Sequence, residues 1–150
     1  MQHKLILPLE LLQLIETGHW PTRENVSKQN IRQVIGAERL KKLAPEEHHL
    51  YLEPPPFTPV AVLRDQNRAF WEQDGALDQI IPERTLVIGD FGPGSDTVLA
   101  LDYCDTRTDP AVIRLLWRGA YGTSNNKWVL MAKTFREFAD ALDLWNARFD

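Results

Sequence analysis

The spacing of apolar residues changes character partway along the chain. Up to about residue 75, apolar positions recur at three- and four-residue intervals; from Thr85 onward they alternate with a period of two. The first pattern predicts helices and the second predicts strands. Pro8-Leu9-Glu10-Leu11-Leu12-Gln13-Leu14-Ile15-Glu16-Thr17 reads as a short helix. Pro8 suits its first turn, where a missing N–H costs nothing, and Gly18 is placed to end it. From Glu24 to Leu43 the apolar positions Val26, Ile31, Val34, Ile35, Leu40 and Leu43 predict two helical pieces broken near Gly36. Leu50-Tyr51-Leu52 reads as a short strand, and Pro54-Pro55-Pro56 as a rigid, extended connector. Thr58 and Pro59 read as the N-cap and first position of a helix that carries Val62, Leu63, Phe70 and Trp71 and ends at Asp74-Gly75.

In the second half, Leu86–Phe91, Thr97–Tyr103, Ala111–Arg118 and Lys127–Ala132 read as four strands. Leu99, Leu101 and Tyr103 share one face of the second. Ile113, Leu115 and Trp117 share one face of the third, with Arg114 and Arg118 opposite. Short connections between these strands predict an antiparallel meander. Thr134-Phe135-Arg136-Glu137 then spells a capping box. Behind it, Phe135, Phe138, Leu142, Trp145 and Phe149 form an apolar stripe that predicts one helix lying on a face of the sheet. The expected fold class is α+β: an antiparallel meander with helices packed against it. The 150 residues are read as one domain, with a helical part over about 1–75 and a sheet plus final helix over about 85–150.

Composition narrows the function classes. Apolar residues make up 43% and charged residues 25%, an ordinary globular balance, and no apolar run is long enough to span a bilayer. The first ten residues lack the long apolar core of a signal peptide, and Cys104 is the only cysteine, so a cytoplasmic location is expected. A net charge of −4 argues against direct contact with nucleic acid. That charge is concentrated: residues 65–109 hold ten acids against three bases. A solvated loop face accounts for this most simply, and a docking surface for a basic partner is the sharper reading.

Leu86-Val87-Ile88-Gly89-Asp90-Phe91-Gly92-Pro93-Gly94-Ser95-Asp96 invites a phosphate-binding reading, which fails. Gly89, Gly92 and Gly94 do not fit the dinucleotide or P-loop spacing, and a strand rather than a helix follows them. Glycines at a strand–strand turn supply positive φ instead. Asp90-Phe91-Gly92 lacks the other kinase motifs. Asp90, Asp96, Asp102, Asp105 and Asp109 offer hard oxygen ligands without the spacing of a calcium loop. His48 and His49 sit on a charged segment and read as solvated; Cys104 reads as a packed or partly exposed strand residue. No catalytic set, metal site or cofactor is expected from these residues. Trp20, Trp71, Trp117, Trp128 and Trp145 read mostly as core, with one or two as interface anchors.

Several stretches together resemble the SUKH superfamily, which includes a fungal cell-wall-assembly regulator and many bacterial immunity proteins. They are the apolar strand entering the glycine-rich turn (Leu86 to Asp96), the following strand Val98-Leu99-Ala100-Leu101-Asp102, and Trp128 to Phe138, similar to the family's last strand and the start of its final helix. Leu43-Ala44-Pro45-Glu46-Glu47 and Pro54-Pro55-Pro56-Phe57 resemble a bacterial branch. The Asn-Gly or Gly-Gly turn that many members carry after the first helices is not found in this chain. The resemblance implies a non-enzymatic protein-binding module, in bacteria one that neutralises a toxin, often a nuclease, by direct binding. A basic toxin domain is then the expected partner. Asp90, Asp96, Asp102, Asp105 and Asp109 are the expected contact residues, and Gly89, Gly92 and Gly94 the structural signature turn. A regulatory scaffold for a cellular protein, and a metal-dependent hydrolase using Asp90 and Asp96, remain alternatives.

Overall fold

The computed structural model describes residues 5–23, 33–92, 97–117 and 125–147. Among these, seven strands form one antiparallel sheet. Five helices accompany it: α1 (Leu9–Glu16), α2 (Ala37–Leu40), α3 (Val60–Gln66), α4 (Arg68–Asp74) and α5 (Phe135–Ala141). The strands are β1 (Gln33–Gly36), β2 (His49–Leu52), β3 (Thr58–Pro59), β4 (Thr85–Asp90), β5 (Val98–Asp102), β6 (Ala111–Leu116) and β7 (Lys127–Ala132). The path across the sheet is β1-β2-β4-β5-β6-β7, with β3 also paired to β4. The expected meander is therefore present as β4 to β7. It is extended on its far side by three short strands: β2, where Leu50-Tyr51-Leu52 reads as a strand in the sequence, and β1 and β3, which fall in stretches expected to be helical.

Those short strands explain two differences from the sequence reading. Gln33–Gly36, placed in a helical piece above, is a strand because it pairs residue for residue with His49–Leu52. The rest of that stretch, residues 24–32, lies outside the described residues. Thr58 and Pro59 do not open a helix. They pair with Val87 and Leu86, and the helix starts one residue later. It is also two helices. Asn67, at φ −148°, interrupts the run, and its side-chain oxygen accepts the Phe70 N–H at 3.4 Å to start α4. Local propensity favoured one helix; a strand partner at one end and a capping side chain in the middle override it.

Helices cover both faces of the sheet. On one face, Leu11 and Leu14 of α1, Leu40 of α2 and Phe135 and Phe138 of α5 pack with Leu86, Ile88, Leu99, Leu101, Tyr103 and Val112. On the other, Val60, Phe70 and Trp71 from α3 and α4 pack with Val87, Val98 and Leu115. The alternation expected in β5 holds, with Leu99, Leu101 and Tyr103 in the first layer; in β6 Leu115 and Trp117 face the second, while Ile113, expected beside them, is buried at the register shift with β7 and belongs to neither cluster. Each fully buried Leu, Ile or Phe is worth about 1.5–3 kcal/mol. The Thr134 cap forms, accepting the Glu137 N–H at 3.1 Å, while Glu137 reaches back to the Lys133 N–H at 3.2 Å. α5 nevertheless stops at Ala141, short of the predicted stripe. Asp143 turns left-handed (φ 54°), and a short 3-10 turn, Leu144–Asn146, folds Leu144 into the core. Phe149 lies outside the described residues.

Two further features lock the sheet. At Gly89, an added Cβ would stand 2.5 Å from the Tyr51 carbonyl oxygen, where β2 crosses beside β4. The register between β4 and β5 also shifts here, leaving Ile88 as the extra residue of a bulge. This glycine thus serves close approach inside a strand, not positive φ in a turn. Arg114, expected on a polar strand face, is 2% exposed. Its guanidinium stacks 4.1 Å from the Phe91 ring centre and bonds Glu46 at 2.8 Å and Glu47 at 3.0 Å.

Gly89→Ala is expected to cost about 1–3 kcal/mol in urea unfolding, because backbone cannot yield as a side chain can. Arg114→Leu should cost a similar amount, about 1–3 kcal/mol, through the lost charge-assisted bonds. Glu46→Gln should cost less than about 1 kcal/mol, since that carboxylate is 55% exposed.

Candidate functional site

The nine described acids of the middle segment are sorted by the fold into distinct environments. Asp65, Glu72 and Glu83 are paired with α3 and α4 arginines: Arg64 holds Asp65 at 3.2 Å and Glu83 at 3.4 Å, and Arg68 holds Asp65 at 3.0 Å and Glu72 at 3.2 Å. Asp90, expected on a contact face, is 5% exposed and accepts the Gly92 N–H at 3.0 Å. It shapes the end of β4 and offers no surface charge. Asp96, Gly94 and the rest of that turn lie outside the described residues, so the pairing of Asp90 with Asp96 does not bear on the structure. Gly89 lies within β4, and Gly92 just beyond its end.

Asp102, Asp105 and Asp109 are brought together on and after β5, in the connection to β6. Asp105 and Asp109 are exposed and Asp102 is half-buried. The connection is rigidly built. Arg84 donates to the Tyr103 carbonyl at 2.8 Å and to the Thr106 carbonyl at 2.7 Å. Thr106 Oγ1 accepts the N–H groups of Thr108 and Asp109 at 3.2 and 3.1 Å. The buried Tyr103 hydroxyl donates to the Ile6 carbonyl at 2.9 Å, and Ile6 N–H donates to the Arg107 carbonyl at 2.9 Å. Burial holds the Tyr103 phenol protonated far above its usual range. These contacts present Asp105 and Asp109 on a fixed frame, which lowers the ordering entropy a partner must overcome.

Cys104 sits in this connection, exposed and just past the strand, not within it. Its Sγ lies 3.5 Å from Asp102 Oδ2, and Asp102 Oδ1 accepts the Cys104 N–H at 3.0 Å. Partial desolvation of the sulfur, although the residue is exposed, pushes the thiol up to about 11, helped by the carboxylates of Asp102 and Asp105. That environment suits an inert thiol, not a nucleophile.

The sequence reading missed a second acidic location. α4 ends at Asp74, where the chain turns through Gly75 and a left-handed Ala76 (φ 48°) into the 3-10 turn Leu77–Gln79. A cavity of about 410 Å³ opens there, lined in part by Glu72, Asp74, Asp78, Gln79 and Asn126. In the sequence Asp74 counts among the ten acids of the middle segment and otherwise reads as part of a helix-ending Asp-Gly pair. The available signal was an acid in the last turn of a helix, where the dipole favours a cation.

Alkylation of Cys104 by iodoacetamide is expected to be slow at pH 8 and to rise about tenfold per pH unit until near the thiol's pKa. Asp102→Asn should accelerate it at pH 8 by removing a negative neighbour. A wild-type rate already half-maximal near pH 8.5 would contradict this assignment.

No family model matches this chain, and no curated protein and no solved structure matches it significantly.

Proposed function

We propose that this chain is a non-enzymatic, protein-binding module of the bacterial immunity type, acting in the cytoplasm to neutralise a toxin by direct binding. The observation that carries this reading is the pre-ordered acidic connection after β5. Asp102, Asp105 and Asp109 form no ion pair among the described residues, whereas Asp65, Glu72 and Glu83 are spent on arginines of their own chain. Carboxylates held in place without a cationic partner of their own favour a basic partner, steering its approach and fixing its orientation. The motif resemblance described above supports the same role, and a basic nuclease is the partner chemistry that fits the charge. A regulatory scaffold would use the same surface, and the gene neighbouring this one separates the two.

The test is co-expression and pull-down with the toxin domain encoded beside the gene. Binding with protection of the host cell is expected, with an association rate that falls steeply as salt rises. The triple variant Asp102→Asn, Asp105→Asn, Asp109→Asn should associate about tenfold or more slowly at low salt, with most of the effect gone at high salt. Absence of binding and protection with every adjacent toxin domain would refute the reading. Salt-insensitive binding would remove the acidic connection from it.

A further inference from the structure

We propose that the cavity at the end of α4 receives a basic side chain, a guanidinium or ammonium group carried by a protein partner. The source of that cation rests on the partner-binding reading above. The central observation is Asp74. Its side chain is 2% exposed, it lines the cavity, and neither carboxylate oxygen has a hydrogen-bond partner among the described residues. A buried carboxylate is normally satisfied by donors, because the medium around it cannot solvate charge as water does. Arg114, the chain's buried cation, by contrast meets Glu46 and Glu47 through its two terminal nitrogens, with its Nε alone lacking a partner among the described residues.

Asp74 is not an accident of loose structure. The turn around it is fastened to the start of β7 by three bonds: Asn126 Nδ2 to the Asp74 carbonyl at 2.9 Å, Trp128 Nε1 to the Gly75 carbonyl at 2.9 Å, and Trp128 N–H to Gln79 Oε1 at 2.8 Å. Gly75 lies so close to Trp71 that an added Cβ would stand 2.5 Å from its ring. The turn is thus tied down at three points, while the carboxylate of Asp74 is left without a donor among the described residues. Local choices that break the rules of stability are where function is to be sought.

The chemistry of the lining selects the ligand. Asp78 adds a second, exposed carboxylate with no ion pair among the described residues, and Glu72 a third that Arg68 already holds at 3.2 Å. The described residues contain no group of three or more His, Cys, Asp or Glu side chains placed to hold a metal ion. An organic cation needs no such convergence. A guanidinium brings several N–H donors on a planar fork and matches one buried carboxylate with a second at the entrance. The cavity's size lies in the range of small-ligand sites.

The experiment is an NMR titration of the full chain at constant ionic strength. The probes are agmatine and a short neutral-capped peptide bearing one arginine. Both should give saturable shifts of the Trp128 indole N–H and the Ala76–Gln79 amides. Asp74→Asn should weaken binding tenfold or more, without loss of thermal stability, because it removes an unpaired buried charge. Asp78→Asn should weaken it severalfold. If Asp74→Asn fails to fold, Asp78→Asn decides, and unchanged affinity there overturns the proposal. So do an absence of saturable shifts, equal affinity in Asp74→Asn, binding of agmatine but not of the peptide, or saturation of the same signals by magnesium or calcium in place of both probes. A toxin domain that binds the chain while neither probe does would remove the cavity alone. A chain that binds both probes but no toxin domain would remove the immunity reading alone.

Discussion

Thr85–Asp90 has side chains packed on both of its faces and strands along both of its edges, and all six residues are buried. A buried strand cannot leave N–H and C=O groups unpaired, and its two faces cannot both be apolar unless each is covered. Both demands shape the rest of the chain. β5 takes one edge of β4. The other is shared end to end by β2 and β3, each contributing two paired residues. α1, α2 and α5 cover one face, and α3 and α4 the other. The close crossing of β2 at Gly89 follows from the same crowding: two backbones and two packed layers meet where no Cβ fits.

Around this core the chain handles buried charge in two contrasting ways. Arg114 enters the layer that contains Phe91, and two successive glutamates fold over the sheet to meet it. Fully burying a cation is costly, and that cost is offset here by a stacked ring and two charge-assisted bonds. The contact also ties residues 46 and 47 to β6, nearly 70 positions away in sequence. Asp74, the last residue of α4, is buried with no such provision among the described residues. That contrast is the ground for the cation site proposed at the α4 cavity.

The remaining acids follow from where the elements place their neighbours. α3 and α4 carry Arg64 and Arg68 within reach of Asp65, Glu72 and Glu83, so those carboxylates are absorbed into surface pairs of small energetic value. In the β5–β6 connection Arg84 is occupied with the backbone carbonyls of Tyr103 and Thr106, which fixes the loop without pairing Arg84 to its acids. A uniform acidic segment in the sequence thus becomes a paired helical face, a buried turn residue, a rigid acidic connection and an acid-lined cavity.

The meander was legible because each of its strands alternates or is wholly apolar, and period-two burial leaves a mark in any single strand. β7 even begins and ends where its pattern does, at Lys127 and Ala132. α1 and the start of α5 were legible for the equivalent reason, since Gly18 and Thr134 act within a few residues of themselves. Gln33–Gly36 and Thr58–Pro59 were not legible, because four- and two-residue strands carry too little periodicity and exist only through distant partners. The same holds for the candidate sites. Composition alone determined that the middle of the chain is acidic. Which acids are paired, which is buried in a turn and which lacks a donor was decided by tertiary structure, because ion pairing and desolvation depend on distances between residues that the linear order does not set.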